Sequence, residues 1–343
     1  MTEFREYDME ALGAEKAKKN RKRLRKNLII FGCILAGVIV LALIGNSIKE
    51  AIWGSNDKIA ADGPYIATIY VEGTIASGQT DSFGIPVGYQ HNWTLEKIDE
   101  LISDHNNRGL MIFVDSPGGG VYESDELYLK IKEYKDRTGR PVYAAMGSMA
   151  ASGGYYISAA ADKIVANRNT WTGSIGVTIG TIYDISELLE KYGVNTVTIT
   201  AGSNKAMGSI TEPLTAEQQA IFQSLVDDAY EQFTGIVSEE RGIELSEVQR
   251  FSDGRIYTAE QALELNLVDS IGTLDDALED MIAAYKLQGC EVIDVVYKDN
   301  SLWGTLLGSA KLPDFKGGDV SAILNIIEGD SRFPISYECK LLK

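Results

Sequence analysis

Leu110 to Gly120 read LMIFVDSPGGG: five consecutive apolar residues, then Asp115-Ser116-Pro117 and three glycines. An unbroken apolar run closed by turn residues is the pattern of a strand buried on both faces, which belongs to parallel sheets rather than hairpins. The pattern recurs on either side. Upstream, Ile66 to Val71 is an apolar, β-branched run ending at Glu72-Gly73, and from Thr94 the residues Leu95, Ile98, Leu101 and Ile102 fall at helical spacing. Downstream, Leu127, Ile131 and Tyr134 share a helix face, with Ser124 as the expected N-cap and Gly139 as the stop, before a further buried run from Pro141 to Met146. Strands are also expected at Lys163 to Ala166 and Thr196 to Thr200. Strands alternating with helices at these distances indicate an α/β domain around a largely parallel sheet.

The longest expected helix starts at Thr215, where T-A-E-Q forms a capping box, and it aligns Phe222, Leu225, Val226, Ala229, Phe233, Ile236 and Val237 on one face. That stripe reads as core rather than as a binding surface.

Three segments rich in glycine and serine fall where strands should end, which is where open α/β sheets place their sites. In the first, Ser116-Pro117-Gly118-Gly119-Gly120, consecutive glycines can present bare N–H groups to a developing oxyanion. No Gly-Lys-Ser or Gly-Lys-Thr follows, and Asp125 and Glu126 lie near the positive end of the next helix, which disfavours nucleotide phosphates. The second, Ala151-Ser152-Gly153-Gly154-Tyr155-Tyr156, puts a hydroxyl among residues of little bulk; a helix starting there adds free N–H groups, that of Gly153 included. The third, Thr172-Gly173-Ser174-Ile175-Gly176-Val177, offers another hydroxyl. Each segment alone is as readily a turn or a tight helix–sheet contact; their function depends on all three acting together.

A nucleophilic serine needs a base. The chain has only His91 and His105, both before the first glycine segment in polar surroundings, so each reads as a solvated loop or helix-end residue and a Ser-His-Asp triad is weakly supported. A lysine serves instead where burial disfavours its charged form. Lys205, in TAGSNKAMG just past an expected strand, has small neighbours and few local charges; Lys163 is the alternative, with Asp162 beside it favouring the protonated form. Small or apolar residues are expected before a scissile bond, because the site is rich in Gly, Ala and Met.

The ends of the chain differ from its middle. Leu28 to Gly45 is a stretch without a charge, long enough for one transmembrane helix, and eight Lys and Arg from Lys16 to Lys26 precede it, which keeps the N-terminus in the cytoplasm. No small-x-small cleavage site follows, so an uncleaved anchor is expected rather than a signal peptide. The net charge is -17 over 343 residues, and nearly all the local excess of base lies before Lys26, so the remainder is strongly acidic and unsuited to nucleic acid. Cys33, Cys290 and Cys339 show no metal-binding or disulfide-scaffold spacing. The expected organisation is a basic N-terminus over 1–26, an anchor over 27–48, a connector over 49–62, a domain over 63–290 and a loosely structured tail over 291–343, the last able to enter an active site.

SPGGG, ASGGYY, TGSIGV and a glycine-serine stretch ending at Lys205, in that order behind an N-terminal anchor, resemble the signal peptide peptidase A family, in its short, single-domain bacterial form. The resemblance covers about Ile66 to Gly272. It implies a crotonase-like, Clp-protease-like α/β core preceded by one transmembrane helix, and a serine peptidase with a Ser-Lys dyad that needs neither metal nor organic cofactor. It assigns the nucleophile to Ser152, the general base to Lys205, a lysine-holding hydroxyl to Ser174 and an oxyanion N–H to Gly119; Gly153 is a second candidate donor on physical grounds. It further implies a ring-shaped homo-oligomer whose neighbours share dyad residues, sited outside the cytoplasm and acting on remnant signal peptides and unfolded polypeptides. Ala201 and Ala206 depart from the residues common in relatives, Ser and Asp, and alter the surroundings of Lys205. Two rival readings are a coenzyme A hydratase or isomerase sharing the fold, which an anchor argues against, and an inactive membrane-bound scaffold.

Overall fold

The computed structural model describes residues 59, 61–80, 86–297 and 336–338, all belonging to one compact unit. The expected anchor, its basic flank, Cys33, Cys339 and most of the C-terminal tail lie outside those residues. Among the described residues, no helix is long and apolar enough to cross a membrane.

In order the elements are β1 (Tyr65–Glu72), α1 (His91–Ser103), β2 (Asn107–Ser116), β3 (Gly118–Gly120), α2 (Val121–Thr138), β4 (Val142–Ala151), α3 (Gly153–Ala159), β5 (Lys163–Ala166), β6 (Trp171–Gly173), α4 (Ser186–Lys191), α5 (Ala216–Arg241), α6 (Leu245–Phe251), β7 (Ile256–Thr258), α7 (Ala259–Glu264), β8 (Ser270–Ile271), α8 (Leu274–Tyr285), β9 (Glu291–Val295) and β10 (Ser336–Glu338). The central path of the main sheet is β7-β6-β4-β2-β1-β9, with β5 on β4 and β8 on β5. Every pairing in it is parallel except β6 with β7. β9 begins just past the expected domain limit at residue 290, yet it is a strand of this sheet, paired with β1.

The continuous apolar runs have the predicted cause. In β2, Leu110, Ile112 and Val114 pack into one core cluster with Leu101, Leu127, Ile131 and Tyr155, while Met111 packs on the opposite face with Ala277 and Met281 of α8. Strand side chains alternate between faces, so a strand covered on both sides must be apolar throughout.

Local signals hold at several ends. Gly139 closes α2 in the left-handed conformation, φ 64°. Thr215 and Gln218 form the capping box of α5 reciprocally. Two expectations change. α2 starts at Val121 with Gly120 as its N-cap residue, which leaves Ser124 inside the helix, because the glycine run turns directly into it. Thr196 to Thr200 forms no strand: nothing in the described chain pairs with it, and Val197 and Ile199 are 84% and 92% exposed.

Candidate active site

The three glycine-serine segments converge at the carboxyl ends of β2, β4 and β6. β2 and β4 stay paired as far as Ser116 and Ala150 only through an irregularity after Val114. The Asp115 carboxylate fills it, accepting from the Met149 N–H at 3.0 Å and the Ser148 hydroxyl at 2.8 Å. β4 then pairs with β6 through Ala151 and Gly173, and the Ser152 N–H donates to the Gly173 carbonyl at 2.7 Å. The second and third segments are thus laced together by main-chain bonds.

Ser152 occupies the N-cap position of α3 with φ 55°, ψ -119°, and Ser174 has φ 50°. A non-glycine residue at positive φ costs about 1–3 kcal/mol, and such strain gathers at functional positions. Both serines are buried against the chain, and both line a cavity of about 790 Å³ with Val177, Thr178, Tyr230 and Ser252. Asp253 lines it too; its hydrogen bonds from the Arg255 guanidinium hold the carboxyl down at about 2, so the cavity wall keeps a paired negative charge at neutral pH.

The glycines are required by close approach. A Cβ on Gly119 would stand 1.9 Å from the Ile75 carbonyl oxygen, and one on Gly153 would stand 2.4 Å from the Ser124 hydroxyl. Gly118 accepts from the Ile75 N–H at 2.8 Å and Gly120 donates to the Ile75 carbonyl at 2.9 Å. Strand alternation therefore turns the N–H and C=O of Gly119 to the other side.

On that other side lies the C-terminal strand β10, antiparallel to β3, with Tyr337 opposite Gly119. Ser336 faces away from the glycines and exchanges both main-chain bonds with Thr178, at 2.9 and 3.1 Å. Residues 336–338 thus run between two stretches of chain, as an added strand does in peptide recognition. A point one Cβ length above Gly118 is 1.8 Å from the Tyr337 carbonyl oxygen, 2.6 Å from the Gly153 nitrogen and 3.0 Å from the Ser152 Cβ. The Tyr337 carbonyl, the Gly119 and Gly153 amides and the serine therefore crowd together.

Lys205 is elsewhere. It is exposed, in a turn of the segment 179–214, and is not among the residues lining the cavity. In that whole segment only Gly208 is buried, while Tyr192, Val197 and Ile199 are exposed. One chain brings together Ser152, Ser174, Gly119 and Gly153 but not Lys205. Lys163, the alternative, pairs with Asp280 at 2.9 Å on the side of the sheet covered by α8. His105 is exposed in a turn, as expected. His91 departs from expectation. It is 98% buried, with its ring nitrogens bonded to the Tyr89 hydroxyl at 3.0 Å and the Glu126 carboxylate at 2.9 Å, because it opens α1 facing α2 rather than solvent. Among the described residues, no group of His, Cys, Asp and Glu is arranged to hold a metal ion.

The model of peptidase family S49 matches residues 134–288. A putative signal peptide peptidase of Enterococcus faecium is 34% identical over 316 residues, 87% of this chain and 91% of that protein. A putative protease of Synechocystis is 39% identical over 62% of this chain and 71% of its own length. One from Methanocaldococcus jannaschii is 31% identical over 77% and 85%.

Proposed function

From the premise that this chain belongs to peptidase family S49 and is a serine peptidase of the signal peptide peptidase A family, we propose that Ser152 is its nucleophile and that Lys205, supplied by a neighbouring copy of the chain, is its general base. The observation that supports this most is the strained Ser152 held against the amides of Gly119 and Gly153, with a peptide carbonyl already lying beside them. The exposure of Lys205 supports the second half. A lysine acts as a base at neutral pH only where burial disfavours its ammonium form, and in one chain this side chain has no such burial. Docking of the 179–214 segment on another copy would cover Val197 and Ile199 and carry Lys205 into that copy's cavity, where Ser174 would hold the amine. A ring of such contacts closes without free ends.

In the proposed reaction, the neutral Lys205 amine takes the Ser152 proton as Oγ bonds to the peptide carbonyl carbon. The oxygen's charge is met by the Gly119 and Gly153 N–H groups. The C–N bond then breaks, the ammonium returns its proton to the leaving amine, and an acyl ester remains on Ser152. Water, deprotonated by the same amine, opens the ester and restores both groups, so the chemistry balances without an added group. The substrates in this reading are remnant signal peptides and other short or unfolded polypeptides, met outside the cytoplasm by a domain anchored through Leu28 to Gly45 with its N-terminus inside.

The test is hydrolysis of an unfolded protein by the full chain in detergent, beside Ser152→Ala and Lys205→Ala. Each variant should lose about 10⁴-fold or more. Mixing the two inactive chains should restore part of the activity, since some interfaces then join an intact serine to an intact lysine. Loss in both with no recovery on mixing, once subunit exchange is verified, places the dyad within one chain; survival of either variant refutes the residue assignment.

A further inference from the structure

The cavity lined by Ser152 and Ser174 has a third serine on its wall, which the proposed reaction leaves idle. We propose that this residue, Ser252, is a positioning residue for the base: its hydroxyl accepts one N–H of the Lys205 amine while Ser174 accepts the other, which aims the nitrogen lone pair at Ser152. The proposal rests on the reading that Lys205 arrives from a neighbouring copy of the chain.

Among the described residues, the buried side-chain oxygens with no hydrogen-bond partner are those of Thr68, Ser124 and Ser252, and of these residues only Ser252 lines the cavity. Ser252 is 1% exposed. A buried hydroxyl without a partner costs stability, so such a group points to a partner that one chain does not supply. The peptide strand is not that partner. Residues 336–338 already lie in the cleft, paired with the glycine run and bonded to Thr178, and the Ser252 hydroxyl still has none. What the site needs with a peptide strand in place is its base.

The loop that carries Ser252 is built onto the third glycine-serine segment. Ser252 ends α6, and the Phe251 carbonyl before it accepts from the Tyr257 hydroxyl at 2.6 Å. Beyond it the Gly254 N–H donates to the Ile175 carbonyl at 3.0 Å, and the Ser174 N–H donates to the Arg255 carbonyl at 2.7 Å. One hydrogen-bonded frame therefore carries both Ser252 and Ser174. A serine side chain turns about a single bond between staggered positions, so the hydroxyl can swing from the wall to an arriving amine. A neutral amine has two N–H groups and one lone pair, and holding both N–H groups fixes the direction of the pair. The charged groups on the same wall suit an amine kept neutral. Asp253, next to Ser252, is committed to the Arg255 guanidinium, whose Nε donates to it at 2.7 Å, and Asp227 of α5 accepts from Gln223 at 2.7 Å; Tyr230 is the other titratable group lining the cavity. A hydroxyl holds the amine without the full negative charge that would favour the ammonium form.

The full chain in detergent is assayed on a denatured protein and a short peptide over a range of pH, as the parent, Ser252→Ala and Ser252→Thr. Ser252→Ala should cut kcat about 10–100-fold with KM within about twofold, the effect of losing one hydrogen bond to a group that becomes charged in the transition state. The acidic limb of its kcat/KM profile should move to lower pH, because a buried ammonium that loses an acceptor is disfavoured. Its melting midpoint should not fall, since no bond within the chain is lost. Ser252→Thr keeps the hydroxyl and should restore most of the turnover; if its extra methyl prevents folding, Ser252→Ala decides alone. Unchanged kcat in Ser252→Ala, a rise in KM alone, or a fall in kcat with a lowered melting midpoint and an unmoved limb each overturns the role of Ser252, and the dyad stands if Ser152→Ala and Lys205→Ala are still inactive. Activity surviving in Lys205→Ala overturns the dyad first and the role of Ser252 with it.

Discussion

The sheet-edge loops and the 179–214 segment receive opposite treatment from the same fold. Ser152, Ser174, Gly119 and Gly153 are buried or nearly so, strained where they must be, and tied by main-chain bonds to β2, β4 and β6. Lys205 rides on a segment whose only helix, α4, buries none of its residues. The contrast teaches where the division of labour falls. On the proposed assignment, the core positions the nucleophile and the oxyanion site within one chain, whereas Lys205 has no interior of its own there. Apolar side chains such as Ile199, at 92% exposure, then have a physical use in the contact that would bury them.

The sharpest way to break that comparison is to charge the exposed segment alone. If the proposed ring forms through this segment, Val197→Asp with Ile199→Asp should dissociate it and reduce turnover by about 10³-fold or more, approaching the Lys205→Ala chain, with far-ultraviolet circular dichroism unchanged. Full activity in a dissociated double variant would mean that the lysine needs no neighbour. Perturbing the buried side should do less. Gly119→Ala drives a Cβ to 1.9 Å from the Ile75 oxygen and displaces a proposed oxyanion donor, so kcat should fall about 10²–10³-fold while the proposed assembly survives in sedimentation. Deleting 331–343 should act in the opposite direction. Residues 336–338 occupy the cleft, and their removal should raise kcat/KM for added peptides by about tenfold, mostly through KM, a size set by the hydrogen bond and ring contacts of Tyr337.

The buried half was legible in the sequence because its signals are local. LMIFV followed by SPGGG, and the run ending at Met146 followed by ASGG, each state a strand, a turn and a need for bare backbone within about a dozen residues. The exposed half is illegible for the same reason. Thr196 to Thr200 has the β-branched composition of a strand, and composition cannot say whether an edge exists for it to join. Ser124 carries the hydroxyl that favours a cap, whereas the glycine run already begins the helix three residues earlier, at Val121. His91 looked solvated among polar neighbours; only the packing of α1 on α2 buries it against Glu126. The ring cluster of Tyr156, Phe233 and Tyr337 is beyond local reading altogether. Tyr156 belongs to α3, Phe233 to the stripe read as core on α5, and Tyr337 to the tail. Their stacking joins residues up to 181 positions apart, with an isolated tyrosine in ISYE as the only local hint.

The smallest expected effect separates the two regions most cleanly. Thr215 is where the exposed segment ends and the core begins: its hydroxyl accepts from the Gln218 N–H at 3.2 Å, and the Gln218 side chain accepts from the Thr215 N–H at 3.2 Å. Thr215→Ala removes half of that box and should cost about 1 kcal/mol, lowering the melting midpoint of a domain this size by about 2–4 °C. The first turn of α5 also meets the segment directly, through Asn204 donating to Glu217 at 3.2 Å, one residue from Lys205. If the lysine takes its place from contact with a neighbouring copy, fraying that turn should leave kcat/KM within about twofold despite the lost stability, because 1 kcal/mol of folding free energy leaves the folded population nearly whole. A fall well beyond that at temperatures below the transition would show that the chain's own helix, and not the neighbour, aims Lys205.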